Sequence, residues 1–313
     1  MMKAAICSQY GPPEVLQLQE VAMPLCKDNE ILVKIMATAV NSGDVRVRGL
    51  VVSGFLKIVM RLVLGFFKPR RPILGTVYAG IVVETGKNIS QFKVDEKVFG
   101  ITGFKFGTYA EYISVNEKSI VTHMPINASF EAAASLPFGW HTAIHFLERA
   151  GIENVKKPKV LIYGSTGSVG VAAVQLANYF NVALTVVCSS EGRELMRNLG
   201  VDNVICYDLQ DFTQTPQKFD IIFDAVGKTS KPVCKHLLNT GGNFVTVGGL
   251  DMATEKVIHL QFIRQLFEKR KCRAIIDRVY PFSDIVAAHA YVDAGRKKGD
   301  VVVTMCEIDE VVK

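Results

Sequence analysis

The sequence predicts an α/β fold in which a doubly wound parallel sheet is joined to a smaller β-rich domain. Three observations lead there. Between residues 159 and 247, apolar β-prone runs alternate with helical patterns, the order that builds a parallel sheet with helices on both faces. One of those runs, Lys159-Val160-Leu161-Ile162-Tyr163, stops at Gly164-Ser165-Thr166-Gly167-Ser168-Val169-Gly170, and a helix pattern follows at once. Residues 1–125, by contrast, hold short strand candidates separated by glycine and proline turns, as in a small barrel or sandwich.

The 313 residues suffice for two domains, and 49% hydrophobic with 21% charged residues describes a globular chain. A net charge of +6 suits an anionic small ligand as readily as a nucleic acid and does not choose between them. Cysteines stand scattered at 7, 26, 188, 206, 234, 272 and 306, with no CxxC unit. That spacing argues against a secreted disulfide framework and for a reducing, cytoplasmic setting. The N-terminus reads as a strand rather than a signal peptide. The most apolar window, residues 50–67, is interrupted by Lys57 and Arg61. It is therefore expected to be no transmembrane segment but a helix, over 53–68, packed on the protein's own body, with contact to a membrane surface as the alternative.

In chain order, strands are expected at 3–8, 30–39, 77–84, 97–99, 108–113 and 120–123. Ser129 with Glu131 and three alanines starts a helix, and a second helix starts near Gly139 and runs to Arg149. After the glycine loop come strands at 182–188, 203–206, 220–223 and 243–247, with helices at 192–199 and 230–238. Beyond Gly249 the pattern is irregular: a helix over 256–271, a strand at 273–276, a helix over 282–294 and a strand at 301–305. This tail is too short for a domain and is expected to return to the first one. The expected division is a β-rich domain at 1–125, a doubly wound domain at 126–265 and the returning tail at 266–313.

The glycine loop carries the functional reading. A tight turn into a helix start leaves backbone N–H groups unpaired where the helix dipole favours negative charge, and glycine lets a pyrophosphate approach the backbone. Residues 164–170 are thus expected to hold the phosphates of a dinucleotide. About 20 residues further on, the end of the next strand meets the adenosine ribose. Here that end is Cys188-Ser189-Ser190, with Arg193 beyond. Serine hydroxyls and a guanidinium favour the 2′-phosphate of NADP(H); Glu191 is the competing residue, as a ribose-binding acid of an NAD site.

The whole pattern resembles the medium-chain dehydrogenase/reductase superfamily, and within it the zinc-independent quinone oxidoreductase branch. The residues that carry the likeness are Asn41-Ser42-Gly43-Asp44, Ile73-Leu74-Gly75-Thr76 with Ala79-Gly80-Ile81-Val82, Gly107-Thr108-Tyr109-Ala110-Glu111-Tyr112 and Ala132-Ala133-Ala134-Ser135-Leu136-Pro137. In the tail they are Ile276-Asp277-Arg278-Val279-Tyr280-Pro281 and Gly295-Arg296-Lys297-Lys298-Gly299. The likeness runs nearly end to end. It implies a Rossmann cofactor domain, a GroES-like substrate domain and a cleft between them. It also implies cofactor contacts from Thr142 near the nicotinamide amide, Tyr207 beside the 2′-phosphate, and Val226, Gly227, Gly248 and Gly249 at strand ends. The segment between Gly249 and Arg273 is shorter than in relatives. Because that region holds the family's dimer strand, the homodimer that the resemblance implies is put in doubt.

Zinc-containing relatives need cysteine and histidine ligands. Asn41-Ser42-Gly43-Asp44 has no cysteine where the family's catalytic cysteine would lie, Gly75-Thr76-Val77 replaces Gly-His-Glu, and no cysteine occurs between Cys26 and Cys188. No metal is therefore expected. His141 and His145, four apart, are expected to be packed or solvent-facing. Without a Lewis acid, the fitting chemistry is hydride transfer from NADPH to an acceptor that is already electrophilic, a quinone or related carbonyl. Reduction of an alkenal or enoyl C=C bond is the alternative. Asn41 is the expected donor to the acceptor oxygen, Asp44 would order it or a water, and Tyr78 or Tyr109 are further donors. The competing roles are equally concrete: Asn41 as a turn cap, Asp44 paired with Arg46 or Arg48, and the tyrosines as core. A rival of another class is a non-catalytic NADPH-binding protein with a basic nucleic-acid-binding or membrane-binding surface. The nucleic-acid version lacks the interleaved aromatics of single-strand binders.

Overall fold

The computed structural model describes residues 1–50, 55–249 and 251–305. In chain order the elements are β1 (Met2–Cys7), β2 (Leu16–Val21), β3 (Glu30–Val40), α1 (Ser42–Gly49), α2 (Phe55–Leu64), β4 (Val77–Thr85), β5 (Lys97–Ile101), β6 (Tyr112–Asn116) and β7 (Val121–His123). Then come α3 (Phe130–Arg149), β8 (Lys159–Tyr163), α4 (Ser168–Tyr179), β9 (Ala183–Cys188), α5 (Arg193–Asn198), β10 (Asn203–Cys206), β11 (Phe219–Asp224), α6 (Lys231–Cys234), β12 (Leu238–Thr246), α7 (Val257–Glu268), β13 (Ile276–Pro281), α8 (Ile285–Asp293) and β14 (Asp300–Thr304). The chain forms two compact units. One is Met1–Pro137 with Leu260–Glu268 and the chain from Ile276; the other is Phe138–His259 with Lys269–Ile275.

In the second unit five strands lie in the order β10-β9-β8-β11-β12, all parallel. A parallel sheet is covered on both faces, so its central strands are apolar throughout. Val160, Leu161 and Ile162 of β8 and Ile221, Ile222 and Phe223 of β11 are buried accordingly. The winding reverses between β8 and β11, and ligands of such sheets bind outside the carboxyl ends of the strands at that reversal. β12 forms one edge and is half-buried or exposed along its length.

In the first unit β3 is central. The order is β13-β14-β3-β4-β5-β7, with β6 also paired to β3 and β1 paired to β2. The tail supplies β14, antiparallel to β3 with Val301 opposite Val40. One core cluster joins Val40, Val45, Leu64, Leu74 and Tyr109 to Ile285, Ala288 and Val303; a second lies around Ile31, Val33, Ile35, Tyr78 and Val98. Arg48 of α1 is buried as well: it donates to the Gly11 carbonyl at 2.8 Å and forms an ion pair with Asp293. Replacing Asp293 by asparagine leaves that guanidinium without its counter-charge, and is expected to cost about 3 kcal/mol in urea unfolding.

Several elements differ from the sequence-based expectation. Strand β2 is absent from it although Leu16-Gln17-Leu18-Gln19 alternates apolar and polar; β2 pairs with β1 in a two-stranded sheet and has one fully buried residue, Leu16. The two helices expected around Gly139 are one helix, α3, running through Pro137 and Gly139. Burial of Ala133, Ala134, Leu136, Trp140 and Ile144 along its length outweighs the local breakers. The strand expected at 108–113 starts at Tyr112, and the one at 273–276 starts at Ile276. Of the helix expected over 53–68, residues 53 and 54 lie outside the described residues, and α2 ends at Leu64.

Candidate active site

The glycine loop follows β8 directly. Gly164 has φ +78°, and a Cβ on it would meet the Val226 side chain at 2.5 Å. Gly170 packs so closely that a Cβ would overlap the Gly164 carbonyl. Gly167 is different: nothing lies within 4 Å of where its Cβ would be, and no side chain caps α4, whose N-cap it occupies. The three glycines thus divide the work of a dinucleotide loop: a tight turn, an open approach at a helix start and close helix–strand packing. The site fits a pyrophosphate at Gly167. Ser165 is buried and donates to Val187 O, and Val169 is buried in α4, so both shape the turn. Thr166 packs over Gly192.

The expected strand-end residues converge on this loop. Gly227, at φ +73°, would meet the Gly248 Cα at 2.8 Å if it carried a Cβ. Asp224 builds that corner. Its buried carboxylate accepts from the N–H groups of Val226, Gly227, Lys228 and Thr229 and from the Thr246 hydroxyl at 2.9 Å. Gly249 follows directly in the chain. Gly139 of α3 lies against the Ser168 carbonyl, which puts Thr142 one turn from the loop; its hydroxyl donates to Phe138 O at 2.9 Å. His141 meets Lys256 O at 3.1 Å, and His145 lies 3.4 Å from Asp251 and accepts from Thr254 N. The two histidines therefore anchor the 251–256 segment to α3. Among the described residues no group of three or more His, Cys, Asp or Glu is placed to hold a metal ion.

At the far end of β9, Ser189 is half-buried and Ser190 exposed. Tyr207, after β10, is exposed and its ring lies 6.4 Å from that of Tyr163. Asp208 is the residue that the sequence reading missed: it accepts from Ser190 N at 2.8 Å and from Ser190 Oγ at 2.5 Å. The Ser190 bonds hold its carboxyl below the ordinary aspartate range. Arg193, exposed, donates from Nε to Cys206 Sγ at 3.3 Å. A shallow open depression beside these residues is lined by Tyr163, Tyr207, Asp208, Leu209 and Phe212. The signal for Asp208 was its position: parallel pairing sets Cys206 beside Cys188, so the turn after one strand faces the turn after the other.

In the first unit, Asn41 is the N-cap of α1. Its Oδ1 accepts from Gly43 N at 2.8 Å and Asp44 N at 3.0 Å, and Asp44 Oδ2 accepts from Asn41 N at 3.1 Å, a complete capping box. Asn41 Nδ2 donates to Thr76 Oγ1 at 2.8 Å. Gly75, at φ +83°, lies close enough to Tyr109 that only glycine fits. Asp44 does not pair with Arg46 or Arg48. Arg48 goes to Asp293, and the Tyr109 hydroxyl donates to Asp44 Oδ2 at 2.9 Å. Asp44 Oδ1 is buried with no partner in hydrogen-bond geometry, though the Thr76 hydroxyl acts on the carboxyl from nearby. Burial pushes the Asp44 carboxyl up to about 7, against the Asn41 N–H and the Tyr109 and Thr76 hydroxyls. Tyr109 is raised well above the ordinary tyrosine value by burial and by Asp44. Its ring meets that of His289 edge-on at 5.4 Å. Both His289 nitrogens are buried without partners, and burial with the Arg48 charge lowers its pKa to about 3. Tyr78 is a core residue of the β3–β4 cluster, its phenol raised by burial alone and set over Gly100. A donor to substrate has to be reachable, and this one is enclosed.

A five-stranded parallel sheet with a glycine-cradled helix start, and a β-rich unit completed by the chain's own tail, are the Rossmann-like and GroES-like units of an oxidoreductase architecture. The model for the alcohol dehydrogenase GroES-like domain matches residues 27–126, and that for zinc-binding dehydrogenase matches residues 168–303. The chain belongs to the medium-chain dehydrogenase/reductase family, in its quinone oxidoreductase-like branch. It is 34% identical, over 96% of its length and 79% of the relative's, to the 2-methylene-furan-3-one reductase of Solanum lycopersicum. It is 30% identical, over the same shares, to the chloroplastic NADPH-dependent alkenal/one oxidoreductase of Arabidopsis thaliana. The quinone oxidoreductase structure from Coxiella burnetii superposes with TM-score 0.82 at 25% identity, over 97% of this chain and 99% of that one.

Proposed function

We propose that this protein is a zinc-independent, NADPH-dependent reductase that delivers hydride to a conjugated carbonyl acceptor, a quinone or an α,β-unsaturated aldehyde or ketone. The observation that carries it is the bond from Asn41 Nδ2 to Thr76 Oγ1. The family resemblance places the cysteine and histidine ligands of zinc-containing relatives in the two stretches that hold these residues. Here they are neutral groups bonded to each other, above a buried acid, and the acceptor has to be electrophilic without help from a metal. The plant relatives favour the C=C arm of this reading, since both are named for enone or alkenal substrates.

NADPH, when bound, supplies the hydride. Gly164–Gly170 take the pyrophosphate, Thr142 and the Val226–Gly227 and Gly248–Gly249 corners take the nicotinamide half, and Ser189, Ser190, Arg193 and Tyr207 take the 2′-phosphate. Asp208 holds Ser190 in place, and Arg193 supplies the positive charge. Thr76, half-buried and held by the Asn41 amide, meets the oxygen on which charge develops, and Asp44 is the proton reserve behind them. Steady-state oxidation of NADPH against a panel of enones and quinones tests the reading; turnover of neither class, with NADPH bound, sinks it. Arg193→Glu is expected to lower the preference for NADPH over NADH about tenfold, read as the ratio of kcat/KM values. The cytoplasmic setting rests on the scattered cysteines. The homodimer rests on family likeness, with β12 as the sheet edge available to it.

A further inference from the structure

From Val45 to Val83 the chain has no aspartate or glutamate and seven basic residues: Arg46, Arg48, Lys57, Arg61, Lys68, Arg70 and Arg71. Helix α2 lies in the middle of this stretch. Its Met60 and Leu64 pack on the core of the first unit, and the Tyr10 hydroxyl donates to Gly65 O at 2.8 Å, fixing the turn after the helix. The other face is open. Ile58 is 54% exposed, Leu62 61% and Val63 56%, and beyond the helix end Phe66 is 51% and Phe67 83% exposed. The two phenylalanine rings meet edge-on at 4.9 Å, and the Arg61 guanidinium sits 5.5 Å from the Phe66 ring centre. Arg71 donates to Lys105 O at 2.8 Å, which brings Phe104, 52% exposed, to the same border. Lys68, Arg70 and Arg71 follow these residues in the chain, Lys105 lies beside Arg71, and all four are exposed.

Isolated exposed apolar side chains need no explanation, but a contiguous set rimmed by charge marks an interaction surface. We propose that this face docks on a bilayer that carries anionic lipid, with Ile58, Leu62, Val63, Phe66 and Phe67 entering the acyl boundary and the basic residues meeting lipid phosphates. Two features choose that occupant. The apolar side chains protrude from a helix and a turn, as in interfacial helices, while the cations beside them have stems long enough to reach the headgroups. A second copy is disfavoured because a two-fold contact would set this stretch against itself, cation on cation, with no acid inside it to compensate. The expected packing of the helix on the protein's own body is seen at Met60 and Leu64.

The test is flotation of the full-length protein with vesicles of phosphatidylcholine alone or with roughly 30% phosphatidylglycerol. Floating with the anionic vesicles at low salt, release as ionic strength rises to about 0.5 M, and no floating with pure phosphatidylcholine are the expected results. Leu62→Asp with Phe67→Asp is expected to lower the lipid-bound fraction about tenfold or more, and Arg70→Gln with Arg71→Gln to lower it similarly. Near-ultraviolet circular dichroism and thermal midpoints unchanged from wild type show that these surface variants are folded. The proposal is overturned if folded wild type stays at the bottom of the gradient with anionic vesicles, or if the variants float as well as wild type. It is also overturned, in favour of a second copy, by a dimer in sedimentation that Leu62→Asp with Phe67→Asp abolishes. Salt-sensitive retention on polyglutamate without vesicle binding overturns it in favour of an acidic protein partner.

Discussion

Gly167→Asp is expected to leave the protein folded and to weaken NADPH binding about a hundredfold or more. The position is unusual among the glycines of the loop. Its backbone is extended, with φ −75° and ψ 174°, and nothing lies within 4 Å of a Cβ built on it. Aspartate is a favoured N-cap, so its carboxylate would accept from N–H groups at the start of α4 and hold the helix as well as glycine does. Those same N–H groups are what a pyrophosphate needs, and a carboxylate there also adds repulsion. The thermal midpoint should therefore stay or rise slightly while fluorescence titration with NADPH loses its saturation. Undiminished NADPH affinity in this variant would place the phosphates elsewhere. Gly170→Ala is not an equivalent experiment, since its Cβ runs into the Gly164 carbonyl and disturbs the fold itself.

The second large effect concerns Asp44 and His289, joined through Tyr109. The folded protein raises Asp44 from 3.8 to about 7 and lowers His289 from 6.5 to about 3. Between pH 4 and 6.5, the folded pair carries one proton, on Asp44, and the unfolded pair also carries one, on His289. The pair thus contributes no slope to stability in that window. Removing one partner exposes the other. In Asp44→Asn only His289 remains; its contribution is complete above pH 6.5 and is lost as pH falls toward about 3. In His289→Leu only Asp44 remains; its contribution is complete below pH 3.8 and is lost as pH rises toward about 7. Relative to wild type, urea unfolding between pH 4.5 and 6.5 should therefore give slopes of opposite sign, each near 1.4 kcal/mol per pH unit. The groups that face the pair, Arg48, Asp293 and the Tyr109 hydroxyl, are common to all three proteins. Slopes parallel to wild type in both variants would show that neither group is held in the state described.

The cofactor half of the site was legible because its signals are local. A strand, three glycines and a helix start occupy twelve consecutive residues, and the glycine spacing alone assigns a turn, an open approach and a close contact. Asp224-Ala225-Val226-Gly227 and Val247-Gly248-Gly249 were legible as strand ends because a doubly wound sheet sends all carboxyl ends to one side. Asp208 was not, because its place depends on the pairing of β10 with β9 and not on distance along the chain. The first unit was legible as a family pattern but not as geometry. Asn41 was expected to donate to the acceptor oxygen or to cap a turn; its Oδ1 caps the start of α1 and its Nδ2 donates to Thr76. Tyr78 and Tyr109 sit in similar strand patterns, yet one lies in apolar core and the other donates to Asp44, a choice made by residues 65 positions apart.

By itself the sequence determined the parallel sheet, the glycine loop at the start of α4 and the absence of cysteine and histidine at the family's ligand positions. Periodicity, glycine placement and residue type are properties that the chain carries at every point. Only the tertiary structure decided the state of Asp44, the isolation of His289 and the open face of α2. Burial and the pairing of distant groups set those, because the cost of an ionised or unpaired side chain depends on what surrounds it and not on its neighbours in sequence.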